Sequence, residues 1–170
     1  MRILGPHSAP YHVVEARLRA RTGVHPRFID LMFPALWKAA TKYGIDGVGM
    51  VAQAGKETAW GNFLGKVKPE FYNTAGIKVR HVGLYPGIDD GDNPLAHSRF
   101  ASWDNGAEAH AQHLRVYTGV KIGPETLIVD PRYWLVSATS QVTDWVGLSG
   151  KWAPAASYGP SLEEIMRTLQ

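Results

Sequence analysis

The sequence predicts a mainly α protein of the α+β class, with one small β-hairpin lobe. Three observations carry this. Most of the chain divides into apolar stretches at helical spacing, the stretch 76–99 alone turns strand-like, and no repeat or linker interrupts the 170 residues. A chain of that length buries one proper core and has little room for a second.

The first helix is expected over Tyr11–Arg21, facing a core with Val14, Leu18 and Val13, and Thr22-Gly23 ends it. Pro26 suits the first position of a second helix running to Tyr43, with Ile29, Phe33, Leu36 and Trp37 on one face and a kink at Pro34. Gly44 closes that helix, and Asp46 caps a third over about 47–60. In this third helix Val48, Val51, Ala52, Gly55 and Ala59 form a face of small residues, widened by Met50 and Ala54, so it reads as central and buried. Gln53, Glu57 and Trp60 fall at i, i+4 and i+7, which places them on one strip. Beyond it, Ile77-Lys78-Val79-Arg80 alternates, and Tyr85-Pro86-Gly87 with Asp89 to Pro94 is turn material, giving a hairpin with an acidic tip. Trp103–Tyr117 is helical, capped by Ser102 or Asp104, with Ala107, Ala111 and Leu114 inward. A further helix is expected after Pro131, and the last over Ser161–Leu169.

Composition narrows the chemistry. Apolar residues at 45% and charged residues at 19% describe a folded globular protein. Eighteen Lys and Arg against 15 Asp and Glu give a formal charge of +3, which fits attraction to an anionic polymer. The basic residues form no run or stripe of the kind that nucleic-acid binding uses. The absence of cysteine removes disulfides, thiolate nucleophiles and Cys-ligated zinc. No apolar run reaches the roughly 20 residues of a membrane span, and Met1–Tyr11, with Pro6, His7 and Pro10, lacks the apolar stretch of a signal peptide. The expected protein is monomeric, free of cofactors and not inserted in a membrane.

Two motifs carry the chemistry. Ala52-Gln-Ala-Gly-Lys-Glu-Thr-Ala-Trp-Gly61 is followed by Tyr72-Asn-Thr-Ala-Gly-Ile-Lys78. Together they resemble the core of the glucosaminidase family, glycoside hydrolase family 73 of the lysozyme superfamily. There a helix ends in Glu-Ser-x-x-Gly and an Asn-x-x-Gly-Ile-Lys stretch follows; Thr58 stands here where Ser is commoner. Phe100-Ala-Ser-Trp103 is similar to the family's Phe-x-x-Tyr lead into the next helix. Gly150-Lys-Trp-Ala, with Tyr158 six residues after Trp152, is similar to its Gly-Tyr-Ala-Thr-Asp-Pro-x-Tyr signature. The resemblance runs from about Val48 to the C-terminus. It implies a lysozyme-like fold, in which residues 1–22 are a helical lead-in to a catalytic domain over 23–170. It implies peptidoglycan as substrate, cleaved as by an endo-β-N-acetylglucosaminidase with Glu57 as general acid. A lytic transglycosylase or muramidase on the same fold, and a non-catalytic wall-glycan-binding module, are the alternatives.

Glycoside cleavage needs a neutral carboxylic acid beside the leaving oxygen near neutral pH, and apolar surroundings raise a carboxyl pKa toward that range. An unexceptional alternative is a surface Glu57 paired with Lys56 or Lys66. The resemblance puts the second carboxylate in the hairpin, where Asp90 is the first candidate, Asp89 the next and Asp92 also present. Gln53, Trp60, Tyr72, Asn73, Trp103, Trp152 and Tyr158 are candidates for binding sugar, since aromatic faces stack on pyranose rings and amides suit N-acetyl groups. Trp152 replaces a more usual Tyr. Trp37, Trp134 and Trp145 read as core or rim packing. Glu108, His110 and His113 do not form His-Glu-x-x-His; a two-His zinc site completed by His81 or His97 is geometrically possible, and exposed helix histidines are the simpler expectation. No Gly-x-Ser-x-Gly elbow supports a serine hydrolase. Without a signal peptide, the chain suits a phage lysin freed by a holin or carried on a virion, or a domain of a longer exported wall enzyme.

Overall fold

The structure, a computed structural model, describes residues 1–79, 94–136 and 140–170. It is mainly helical and lysozyme-like, with five α-helices among the described residues. Helix α1 (Tyr11–Ala20) buries Val14 and Leu18 as expected, while Val13 stays half-buried. Pro26 opens a helical turn that widens into a π turn at Phe28–Met32 before α2 (Phe33–Tyr43). This is the form the expected irregularity at Pro34 takes. Proline has no N–H for the Asp30 carbonyl and its ring would strike it, and a wide turn closed from the Phe33 N–H to the Phe28 carbonyl relieves the clash. The widening also turns the inward face: Phe28, Met32, Phe33 and Leu36 are buried, whereas Ile29 and Trp37 are only half-buried.

Gly44 ends α2 in the left-handed region at φ 63°, with the Ile45 N–H reaching back to the Ala40 carbonyl. Asp46 then caps α3 (Gly47–Glu57) by accepting from the Val48 N–H. Every residue of α3 from Gly47 to Gly55 is buried, between α2 and α5 (Tyr158–Leu169). Gly49 is what permits this: a Cβ there would lie 2.1 Å from the ring of fully buried Trp145. The first 22 residues share this core, with Ile3 buried and Trp145 donating to the Arg2 carbonyl.

Helix α4 (Trp103–Tyr117) has the expected bounds, cap at Ser102 and inward face. Two expectations are corrected. Over the described residues 131–136, Pro131 opens hydrogen-bonded turns rather than a helix, closed by bonds such as Leu135 N–H to Arg132 carbonyl, because the aromatic and β-branched residues there propagate a helix poorly. Helix α5 starts at Tyr158 rather than Ser161, since Pro160 sits in the first turn, where no N–H is needed. The arms of the expected hairpin pair antiparallel at Lys78 and His97, flanked by Val79 N–H to Ala96 carbonyl and Ser98 N–H to Ile77 carbonyl. Its tip, with Asp89, Asp90 and Asp92, lies outside the described residues, as does His81. No helix among the described residues is long and apolar enough to cross a membrane.

Candidate active site

Glu57 is the last residue of α3, not a residue one turn before its end. The expected strip of Gln53, Glu57 and Trp60 is therefore broken. Thr58 stops the helix, its hydroxyl donating to the Ala54 carbonyl at 2.7 Å and accepting from the Gly61 N–H at 3.1 Å. Ala59, Trp60 and Gly61 follow with φ of 49°, 57° and 80°, a run of left-handed residues that side chains ordinarily resist. This reversal folds Trp60 back over Gly55, where a Cβ would come within 2.4 Å of the indole, and against Phe28 and Arg21. Trp60 thus lies away from the cleft. The hydroxyl after the acid is a structural requirement of this turn, which Thr meets as well as Ser.

The Glu57 carboxyl faces a cavity of about 270 Å³ lined also by Phe63, Lys66, Gly76 and His97. Gly76 joins it to a second hollow of about 330 Å³, floored by Trp152. A separate hollow of about 310 Å³ beside Val116, Tyr133 and Trp134 has no carboxylate in its wall among the described residues. Trp134 is 69% exposed, and only Trp145 of the three packing tryptophans is fully buried.

One oxygen of Glu57 accepts the Tyr158 hydroxyl, and the Trp152 indole lies near enough to help lower the carboxyl's pKa. The other oxygen, Oε2, lies 3.9 Å from where a Gly76 side chain would begin. Behind Tyr158 runs a buried chain. Gln53 Nε2 donates to the Tyr158 oxygen at 3.0 Å, Gln53 Oε1 meets His110 Nε2 at 3.0 Å, and His110 Nδ1 meets the Thr74 hydroxyl at 3.2 Å. One assignment of hydrogens satisfies every link, with each donor pointing toward Glu57. It requires His110 to be neutral with its proton on Nε2. Complete burial enforces that, pushing the imidazole pKa down to about 3.

The same surroundings raise the Glu57 pKa above the ordinary carboxyl range. Desolvation is the main cause, opposed by the Tyr158 hydrogen bond, the nearby Trp152 indole and the Lys56 charge. By surface area Glu57 is exposed, because the cleft is open to it, yet protein fills most directions around the carboxyl. Access governs what reaches the acid, and the surrounding protein governs its ionisation. A polymer lying in the cleft would remove the remaining water. Burial and the Glu57 charge keep Tyr158 a neutral phenol, a donor throughout.

Among the expected site residues, the structure brings Gln53, Glu57, Trp152 and Tyr158 together. Gln53 and Asn73 are fully buried, so neither can meet a sugar. Asn73 instead builds the turn that carries Gly76. Its amide donates to the Ile77 and Ser98 carbonyls, and its oxygen accepts from the Ala75 and Ile77 N–H groups. Tyr72 and Trp103 meet edge to face at 5.1 Å, and Trp103 lies 5.9 Å from Phe63, which lines the cleft. The histidines of α4 are not exposed as expected: His110 belongs to the chain above, and His113 pairs with buried Asp130 at 2.7 Å. No group of three or more possible metal-ligating side chains exists among the described residues. The sequence points to His110 as a possible metal ligand or an exposed histidine and gives no sign of Thr74, although His110 falls on the same helical face as Ala107, Ala111 and Leu114.

The family model described as mannosyl-glycoprotein endo-beta-N-acetylglucosaminidase matches residues 33–170. A protein of Borreliella burgdorferi (strain B31), described only as uncharacterized, is 32% identical over 94 residues, 55% of this chain. The chain spans 45% of that relative's length. No solved structure gives a significant match. With its family match reaching from α2 to the C-terminus, the chain belongs to the glucosaminidase family of glycoside hydrolases.

Proposed function

We propose that this chain cleaves the β-1,4 glycan strand of bacterial peptidoglycan as an endo-β-N-acetylglucosaminidase, with Glu57 as general acid. The observation that carries the reading is the state of Glu57. Its pKa is raised, one oxygen is held by Tyr158, and the other is free to carry a proton at the cleft. In this reaction Glu57 gives that proton to the glycosidic oxygen as the C1–O bond breaks. Tyr158 and Trp152 then stabilise the carboxylate left behind, and water completes the reaction at C1. Asp90, with Asp89 beside it, is the proposed second carboxylate on the strength of the family resemblance.

A second reading has its own support: among the described residues, Glu57 is the only carboxylate lining either hollow. A lytic transglycosylase route, in which the muramyl 6-hydroxyl attacks C1, needs no second acid. Mass spectrometry of digested peptidoglycan separates the readings. New N-acetylglucosamine reducing ends are expected; 1,6-anhydromuramic ends would replace the reading by the transglycosylase, and N-acetylmuramic ends by a muramidase. Binding without soluble fragments would make the chain a glycan-binding module. The proposed setting is the bacterial wall, reached as a phage lysin or as a domain of an exported enzyme, by a monomer.

A further inference from the structure

We propose that the Trp152 side of the cleft is a subsite for a carboxylate carried by the glycan, an inference that rests on the glycan reading above. The hollow next to Gly76 is lined by Lys78, Arg132 and Lys151 around Tyr117 and Trp152. No carboxylate lines it among the described residues, and none of the three cations forms an ion pair with a described residue. The nearby acid, Asp130, is 2% exposed and committed to His113 and the Arg132 N–H. Arg132 is held in place by donating to the Val79 carbonyl at 3.2 Å, its one side-chain hydrogen bond among the described residues.

A neutral N-acetylglucosamine polymer has no use for three cations lining one hollow. Stacking faces and amide partners would suffice. A guanidinium and two ammonium groups instead match a carboxylate, the guanidinium through paired hydrogen bonds. Peptidoglycan offers a carboxylate close to the sugar ring in one of two forms: on the stem peptide where the stem is attached, or on the lactyl ether where an amidase has removed it. Because Gly76 lines both this hollow and the cavity that Glu57 faces, a muramyl residue anchored here would lie next to the scissile bond.

The test compares kcat/KM on three soluble strands of equal length. One carries stem peptides, one is stripped by an amidase to bare lactyl carboxylates, and one is stripped and then converted to neutral methylamides. The wild-type protein is expected to prefer a charged strand over the neutral one, with the preference shrinking as salt rises. An exposed ion pair is worth up to roughly fivefold, so the Arg132→Gln/Lys151→Gln double variant is expected to narrow the preference about tenfold. Lys38→Gln, which removes a distant exposed charge, is expected to leave the preference as it is. Narrowing on the bare lactyl strand assigns the site to that group; narrowing only on the peptide-bearing strand assigns it to the stem. An equal preference in wild type and double variant, or equal narrowing by Lys38→Gln, would overturn the subsite while leaving the glycosidase intact. Failure of the wild type on all three strands would overturn the glycan reading and the subsite with it.

Discussion

Acid is expected to loosen this protein through His110. The buried imidazole has its pKa pushed down to about 3 from an ordinary value of 6.5. In the unfolded chain it takes up a proton near pH 6.5, while the native protein refuses one until about pH 3. Between those values the unfolded state holds one proton more, so stability falls with falling pH, by about 1.4 kcal/mol per unit. Above pH 6.5 the effect vanishes, and below 3 it saturates. From pH 7 to 4.5 the loss comes to about 2–3 kcal/mol, a sizeable fraction of a typical domain's stability. Glu57, whose native pKa is raised, acts in the opposite sense just above the ordinary carboxyl range, and a difference between proteins that both retain it removes that contribution. His110→Gln supplies the comparison, since an amide can still donate toward Gln53. Urea denaturation at pH 7 and 4.5 is the assay. The wild type is expected to lose about 2–3 kcal/mol more than the variant over this interval. Parallel losses would refute the argument that His110 is held neutral by burial.

Other perturbations reach the acid from different sides. Tyr158→Phe removes the donor to Glu57, and hydrogen bonds to charged groups contribute about 1.5–3 kcal/mol, so kcat is expected to fall roughly tenfold to a hundredfold. Because that donor lowers the Glu57 pKa, its loss is expected to move the Glu57 ionisation in a pH–rate profile to higher pH. Gly76→Ala places a methyl 3.9 Å from Glu57 Oε2 and forces a side chain to φ 64°, a strain of about 1–2 kcal/mol. Turnover is expected to fall at least tenfold with the circular dichroism spectrum retained, and full turnover would show that the cleft does not run past Gly76. Asn73→Ala orphans buried groups at Ala75, Ile77 and Ser98, each costing about 1–3 kcal/mol, so thermal unfolding is expected to shift down by more than 10 °C.

Much of this was readable along the chain. The α3 cap at Asp46, the full extent of α4 and the buried nature of α3 followed from local pattern, because capping chemistry and helical periodicity are properties of neighbouring residues. The ends of α3 and α5 were less legible. Stopping at Glu57 depends on a Thr58 hydroxyl and on three left-handed residues, only one of which is glycine. Periodicity carried the strip on to Trp60 because nothing local shows that the indole folds back onto Gly55. Asn73 was read as a sugar ligand for a related reason: an amide in a loop motif looks the same whether it faces a ligand or ties its own backbone. The chain from Thr74 through His110 and Gln53 to Tyr158 joins residues up to 105 positions apart, and only the packing of α3 against α4 and α5 brings them together.

The central claim, that Glu57 protonates the leaving oxygen, is tested most directly by counting reducing ends released from purified peptidoglycan by wild type and Glu57→Gln at matched fold. Glutamine keeps an acceptor for Tyr158 but has no acidic proton, and it removes a carboxylate that is costly to hold charged in its surroundings. The Glu57→Gln protein is expected to lose at least a thousandfold in rate with thermal stability at or above that of the wild type. A Glu57→Gln protein that remains folded and releases reducing ends at the wild-type rate would contradict it.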